Sequence, residues 1–396
     1  MTGEEAVSEL TGLPKTVGAP TLERIKRILD ELGNPQEVPK VIHIAGTNGK
    51  GSVAAMVSEM LRADGHKVGT FISPYIHSFY ERIQINGRPI PAETLARLWE
   101  RVRPLATGAV AFEAVTAVGF LYFAEENCDY LVLETGLGGR FDATNTVKNP
   151  LLSVLTHIDL DHTELLGDTV EKIAAEKCGI LRAGGRAVTT PHQNPDALEV
   201  IREHCRRLKV DLQIAAPAEI LREERGVLEL EWCGTVYSLG MTARYQAENA
   251  ATALCAGQRL GVSAAAMERG LRLARQPGRF EWVNERLVLD GAHNPNGIAA
   301  LCESLGRVTK PDEVCVVLGM LPDKERMSAL PMLSRVAEEL IVVPVHTPRG
   351  DDGRPLYEEG KKYFKKVSYC ESAKEAVAMT DKTVCVCGSL YLLSEV

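Results

Sequence analysis

The chain has 396 residues, 45% of them hydrophobic and 25% charged, with a formal net charge of −8 at pH 7. That length exceeds the ~250–300 residues at which a single core stops growing, so two domains are expected, of ordinary globular composition. The acidic balance argues against a nucleic-acid partner, which calls for a basic surface, and no apolar run approaches the ~18 residues of a membrane span.

The N-terminus, MTGEEAVSEL, has neither a basic n-region nor an apolar h-region. The ten cysteines form no CxxC pair and no zinc-like spacing; Cys385 and Cys387 fall in a β-like run. Buried free thiols in a cytoplasmic protein are the expectation.

Leu22 to Leu32 carries apolar residues at helical spacing and stops at Gly33-Asn34-Pro35. The apolar pair Val41-Ile42 then leads into HIAGTNGKGS, His43 to Ser52, which opens into the helical pattern SVAAMVSEMLRADG. A buried strand that breaks at glycines and restarts as a helix aims backbone N–H groups and the helix dipole at one spot, which suits a phosphate. Gly46, Thr47, Asn48, Gly49, Lys50, Gly51 and Ser52 are the candidate cradle, with Lys50 reaching the outer phosphates and the Ser52 hydroxyl ligating Mg²⁺. The usual GxxxxGK[ST] spacing is broken: Ile44 stands at the first glycine position, and Gly51 separates Lys50 from Ser52. A plain glycine turn is the competing reading, but it needs fewer glycines and no lysine.

Lys67 to Phe71 reads as a second strand. The irregular stretch from Ser73-Pro74 ends in a small hairpin around Asn86-Gly87. Helical patterns cover Pro91 to Val102 and Phe112 to Asn127. Tyr130 to Glu134 is an apolar strand ending on an acid, followed by TGLGGRFDATN; Leu151 to His157 is another, ending in THIDLDHTELLG. Glu134 sits where P-loop proteins keep the acid that holds Mg²⁺, although strand ends are often charged for no such reason. His162 is either a metal ligand or a loop histidine. GLGGR is not a dinucleotide fingerprint, because position 141 is Phe141 rather than glycine.

Asp168 with Glu171 predicts an N-cap pair for the helix DTVEKIAAEKCGIL. Strands follow at Ala187 to Thr190 and Val210 to Ile214, a hairpin at Val227 to Leu239, and helices at Tyr245 to Leu260 and Ala264 to Ala274. Gln276-Pro277-Gly278 is the best linker; beyond it strand and helix alternate afresh through LVLD, VCVVLG, LIVVPV, VSYC and VCVCG. Such alternation argues for parallel sheets with the chemistry at the carboxyl ends of their strands.

HIAGTNGKGS, SPYIHSFYERIQING, LETGLGGRFDATN, THIDLDHTELLGDTVEKIAAEKCGIL, YQAENAATAL, PGRF, LDGAHNP and the closing CGSLYLL, in this order from about residue 20 onward, together resemble folylpolyglutamate synthase and dihydrofolate synthase of the Mur ligase superfamily. The broken P-loop spacing is also that family's own form. The expected fold is α/β: a P-loop-containing, mostly parallel sheet domain covered by helices over 1–275, then a smaller Rossmann-like α/β domain over 276–396.

The resemblance implies ATP- and Mg²⁺-dependent ligation of L-glutamate to a reduced folate or dihydropteroate through an acyl phosphate, by a protein expected to be monomeric. It places the phosphates and first Mg²⁺ on Gly49, Lys50, Gly51 and Ser52, and a second metal on Ser73, Glu134 and His162. Lys177 matches a lysine that relatives carry as a carbamate, where the bare residue would read as a solvated helix lysine. Asn249, Arg279 and Asp290 match nucleotide-binding positions; His293, beside them, is equally readable as a structural loop histidine. Asp142, between Phe141 and Ala143, matches the pterin-contacting acid. The alternatives are a Mur-type cell-wall amino-acid ligase and a nucleotide-binding regulator without ligase activity. The resemblance covers glutamylation of dihydropteroate, of a reduced folate, or of both.

Overall fold

The computed structural model describes residues 1–322, 325–347 and 349–396. Its contacts group the chain into two compact units, Met1–Pro217 with Glu248–Leu273, and Ala218–Ala247 with Ala274–Val396. This grouping differs from a single boundary after residue 275 by placing Ala218–Ala247 with the C-terminal residues.

In the first unit the strands β1 (Lys40–Ala45), β2 (Val68–Phe71), β3 (Ile83–Ile85), β4 (Arg88–Pro89), β5 (Tyr130–Glu134), β6 (Leu152–Leu155), β7 (Arg186–Thr189) and β8 (Asp211–Ile214) form one sheet. Their order is β4-β3-β2-β5-β1-β6-β7-β8. The pairs from β2 to β8 are parallel, while β3 and β4 add an antiparallel edge. β1 lies between β5 and β6, and every residue from Val41 to Ala45 is buried, as a doubly covered parallel strand requires, with His43 the one polar side chain among them. The chain leaves β1 in one direction to β2 and reaches β6 on its other side, so the order reverses at β1 and opens a crevice at its carboxyl end.

Leu131 and Leu133 of β5 face a core shared with the helices Glu23–Glu31, Ala92–Val102 and Ala111–Glu125. Alternation then turns Val132 to the opposite face. The helix Lys50–Ala63 packs against Ala264–Leu273 so closely that a Cβ on Gly270 would lie 2.5 Å from the Met60 backbone. Another core of this unit, containing Leu155, Ile158, Ile173, Ala174 and Ile201, seats the helices Val170–Lys177 and Pro195–Leu208.

The second unit contains a three-stranded antiparallel sheet, β9 (Glu219–Glu224), β10 (Val227–Trp232) and β11 (Thr235–Leu239). It also contains a sheet ordered β12-β13-β17-β14-β15-β16, built from β12 (Glu281–Trp282), β13 (Leu287–Leu289), β14 (Val314–Leu318), β15 (Glu339–Val342), β16 (Lys366–Tyr369) and β17 (Thr383–Cys387). All pairs in this larger sheet are parallel except β12 with β13. The small sheet is tied in by Arg225 stacking 4.0 Å from the Trp282 ring and by Arg244, which bridges Glu223 at 2.6 Å and Glu303 at 2.9 Å.

Both hairpins read from the sequence form, with Asn86-Gly87 and Cys233-Gly234 in left-handed conformation as two-residue primed turns demand. The helix expected to start at Asp168 is capped instead by Thr169, whose hydroxyl accepts from Lys172 N, while Asp168 pairs with the Lys172 ammonium at 2.7 Å. Either residue can cap, and the extended backbone at Thr169 decides. The helix Gly3–Gly12, with its Thr2/Glu5 capping box, and strand β9 were not anticipated.

Candidate active site

The phosphate-loop segment leaves the end of β1 and is laced to the chain after β6. Thr47 and Asn48 donate backbone N–H groups to His157 O at 2.8 and 3.2 Å. The Thr47 hydroxyl donates to Asp159 O at 2.9 Å and accepts from Asp159 N at 3.1 Å. Gly46 packs so tightly here that a Cβ would stand 1.9 Å from the Thr156 hydroxyl. Gly49 turns the chain into the helix Lys50–Ala63 at φ +87°, and its missing Cβ leaves room for the Asn249 amide. Ser52 is buried in the first helical turn, and the half-buried Lys50 folds over the loop to donate to Gly46 O at 3.1 Å and Thr47 O at 3.0 Å. The structure thus brings the phosphate-loop residues and Asn249 together.

Glu134 ends β5 opposite Ile44 of β1 and is buried. Its carboxylate accepts from Ser73 N at 3.1 Å, and the Ser73 hydroxyl accepts from Arg82 Nη1 at 3.1 Å. Arg82 in turn stacks 5.0 Å from the Tyr75 ring centre and 5.8 Å from that of Phe79. Sequence reasoning missed Arg82; an arginine following three aromatic residues in SPYIHSFYER was the available signal.

His162 stands apart in character, with a side chain 41% exposed, a backbone at φ +51°, and its ring 4.0 Å from the Asp161 carboxylate. Among the described residues no three His, Cys, Asp or Glu side chains form a cluster able to hold a metal. Mg²⁺ does not require one, since it is commonly held by one or two carboxylates with phosphate oxygens and water. The buried Glu134 carboxylate, adjoining Ser73, and the hydroxyl of Ser52 fit that donor chemistry.

Lys177 ends the helix Val170–Lys177 and is only 4% exposed. Its ammonium donates to Gly46 O at 2.8 Å. Burial, then the nearby Lys50 charge, pull its pKa down to about 7, against the opposing pull of Asp161 and Asp142. Gly139 of GLGGR serves this placement: a Cβ there would lie 2.8 Å from Glu176 O, so glycine lets the loop lie against the end of the lysine's helix.

Asp142 accepts from Gly136 N at 3.0 Å, Leu137 N at 2.8 Å, Thr144 N at 3.0 Å and the Thr144 hydroxyl at 2.5 Å. These four bonds fill a carboxylate's usual acceptor capacity. Burial raises its pKa, while the same donors oppose that shift. Phe141 is 49% exposed and Ala143 is buried, so Phe141 offers the most accessible side chain of the expected substrate triplet. The Thr144 hydroxyl also meets His43 Nε2 at 2.9 Å, a contact that sequence reasoning missed because it joins residues 101 positions apart.

Within the second unit, Asp290 accepts from Tyr245 OH, Phe280 N and Ala292 N, each at 2.8 Å. Burial raises the Asp290 pKa, and the Arg279 guanidinium opposes that shift. The Tyr245 phenol is pushed well above its ordinary value by burial and by Asp290. His293 Nδ1 lies 2.8 Å from Gly291 O, so that nitrogen carries the proton and donates. Asn294 caps the helix Pro295–Val308 by accepting from Gly297 N at 2.7 Å.

Residues 44–257 match the Mur ligase middle domain and residues 278–390 the Mur ligase glutamate ligase domain. The dihydrofolate synthase/folylpolyglutamate synthase of Bacillus subtilis is 34% identical over 99% of this chain and 98% of its own length. Its counterpart from Escherichia coli is 33% identical over 95% and 90%. Among solved structures, folylpolyglutamate synthase from Thermotoga maritima superposes with a TM-score of 0.88 at 36% identity, covering 99% of this chain and 95% of that one. The E. coli FolC complex with DHPP and ADP gives 0.88 at 30% identity, covering 100% and 96%. With one domain match spanning more than half the chain and full-length relatives above 30% identity, the protein belongs to the Mur ligase family, in its folylpolyglutamate synthase and dihydrofolate synthase branch.

Proposed function

We infer that the protein is an ATP-dependent ligase that forms an amide between a folate carboxylate and the amino group of L-glutamate. The observation that carries this reading is the convergence of Lys50 and Lys177 on Gly46 O at the carboxyl end of β1, beside the strand whose end bears Glu134. Solved relatives in complex with ADP, and one with DHPP as well, support the nucleotide and the acceptor class.

The reaction has two steps. A carboxylate oxygen of the acceptor attacks the γ-phosphorus of ATP; that bond forms as the bond to the bridging oxygen breaks, and ADP leaves. The neutral amine of glutamate then attacks the acyl carbon; the C–N bond forms, the C–O bond to phosphate breaks, and the amine proton is lost. Lys50, released from its loop carbonyls, neutralises phosphate charge as it develops. Mg²⁺, when bound, supplies charge neutralisation at the phosphates, and Ser52, Ser73, Glu134 and His162 are its proposed ligands.

Lys177 is proposed to act as a carbamate: its buried amine, with a pKa near 7, is substantially neutral at physiological pH and so able to take up CO₂. Residues 1–275 are proposed as the ATP-binding domain, with Asn249 on the nucleotide. Residues 276–396 are proposed as the glutamate ligase domain, with Arg279, Asp290 and His293 contributing to nucleotide binding. Since Asp290 already accepts three internal bonds, its proposed part is to hold the segment carrying Arg279 and His293. Phe141, held between Asp142 and Ala143, is proposed to contact the acceptor's ring system. A cytoplasmic monomer is proposed with these roles.

The deciding assay offers MgATP and glutamate with dihydropteroate and tetrahydrofolate in separate reactions. Phosphate release that needs both glutamate and a folate acceptor, with a glutamylated product, is the expected result. Phosphate release without glutamate would make the protein an ATPase and overturn the reading. Glutamylation of one acceptor or both states which reactions it performs.

A further inference from the structure

His43 lies in β1, three residues before the phosphate loop, and its ring is fully buried. Its Nε2 is 2.9 Å from the Thr144 hydroxyl, which is 2.5 Å from Asp142 Oδ1. The direction of these bonds follows from the donors around Asp142. Three backbone N–H groups point at its two oxygens, an arrangement that favours the ionised carboxylate. The single Thr144 hydroxyl proton therefore goes to Asp142, and the hydroxyl oxygen accepts from His43. That requires the proton on Nε2 and leaves Nδ1 as a bare lone pair, buried without a partner among the described residues.

A histidine with one buried nitrogen unsatisfied is a poor core filler beside Ile42 and Ile44, where an aliphatic side chain would carry no such penalty. Burial and the Arg182 charge keep the ring neutral by pulling its pKa down to about 3. Arg182 also anchors the far end of the same loop, donating to Asn145 Oδ1 at 2.7 Å and Val147 O at 2.9 Å. The end of the segment Gly136–Val147 is thus held by Arg182 at Asn145 and Val147 and by His43 at Thr144, and its start by the Asp142 carboxylate, which accepts from Gly136 N and Leu137 N.

We propose that His43 is a positioning residue: through Thr144 it fixes the Asp142 carboxylate, and with it the loop presenting Phe141, so that the acceptor site is held in register with the strand bearing the phosphate loop. The inference rests on the reading that this loop receives the folate acceptor.

The test uses the full chain. His43→Leu removes the donor at similar bulk, Thr144→Val removes the relay, and His43→Gln restores an N–H near the place of Nε2. His43→Leu and Thr144→Val are each expected to raise KM for the acceptor about tenfold, the worth of one net hydrogen bond, while KM for MgATP moves less than about twofold. His43→Gln should recover most of the loss, and the double variant should be no worse than either single one. Equal shifts in both KM values, or multiplied effects in the double variant, would overturn the proposal.

Imidazole ¹⁵N NMR of the free protein provides a readout that needs no turnover. A proton on His43 Nε2, with a resonance that moves in Thr144→Val, is expected; a proton on Nδ1, or titration of His43 near neutral pH, would overturn the proposal. If the wild-type protein glutamylated no folate, the assigned function would fail while the NMR result would still decide the bonding chain.

Discussion

Lys50 and Lys177 donate to one carbonyl oxygen, that of Gly46, at 3.1 and 2.8 Å. One comes from the helix that starts at the phosphate loop, the other from the end of the helix Val170–Lys177. Two ammonium groups sharing an acceptor repel each other, and the more buried one yields its proton first. That is Lys177, whose pKa falls to about 7 chiefly through burial.

A stability difference across pH follows. Between about pH 7 and 10.5 the unfolded chain holds a proton on Lys177 that the folded chain has lost, so stability contributed by this group rises with pH through that window. Below about pH 7 both states are protonated and the full cost of the buried charge is present. Lys177→Met should therefore gain stability relative to wild type at pH 6, by an amount of order a few kcal/mol, and most of the gain should be gone near pH 10. Urea melts in CO₂-free buffers measure this; a pH-independent difference would refute the assignment.

Lys50→Ala should separate chemistry from folding. Lys50 is half-buried and donates to two carbonyls of its own loop, a local contribution whose loss should change the unfolding free energy by about 1 kcal/mol. Glutamate-dependent phosphate release should fall by about 10²–10³-fold if it neutralises charge in the transition state. Normal turnover at saturating MgATP, with circular dichroism unchanged, would remove Lys50 from the site.

Asp290→Asn tests the hub of the second unit. An amide in place of this carboxylate keeps one acceptor oxygen but turns an NH₂ group toward Tyr245 OH and Phe280 N or toward Ala292 N. At least one buried donor then loses its acceptor, which should cost about 1–3 kcal/mol in chemical denaturation. Unchanged stability would mean that the three bonds matter less than their geometry indicates.

The alternation of strand and helix, the position of the phosphate loop and both hairpins were legible because each depends on local pattern. The polar strand EILREE of β9 was not, since its extended form depends on pairing with β10 rather than on its own residues. The same distinction governs the site. Lys50 stands out by its place at the helix start after a glycine loop and Glu134 by its place at a strand end, whereas the Arg82 bond to Ser73, the His43 relay and the four bonds that occupy Asp142 require a folded chain to be seen. Thr169 and Asp168 are both competent caps, and only backbone geometry chose between them.

A close steric tolerance in the phosphate loop, at Gly49, yields the last prediction. Its φ of +87° is a conformation that costs an alanine about 1–2 kcal/mol, and the added Cβ would fall 2.2 Å from the Asn249 amide oxygen. Gly49→Ala must therefore shift either the start of the helix Lys50–Ala63 or Asn249, both proposed to meet the nucleotide. Affinity for ADP, measured by calorimetry, should fall at least about tenfold. Because the two residues share one contact, Asn249→Ala should add little to the loss in Gly49→Ala. Gly12 supplies the control: among the described residues nothing lies within 4 Å of its would-be Cβ, its φ is not left-handed, and it sits in the helix Gly3–Gly12. Gly12→Ala should raise stability by about 0.5–1 kcal/mol and leave ADP affinity unchanged. Wild-type affinity in Gly49→Ala would show that the loop relaxes around the methyl group, and that glycine there is not required by the site.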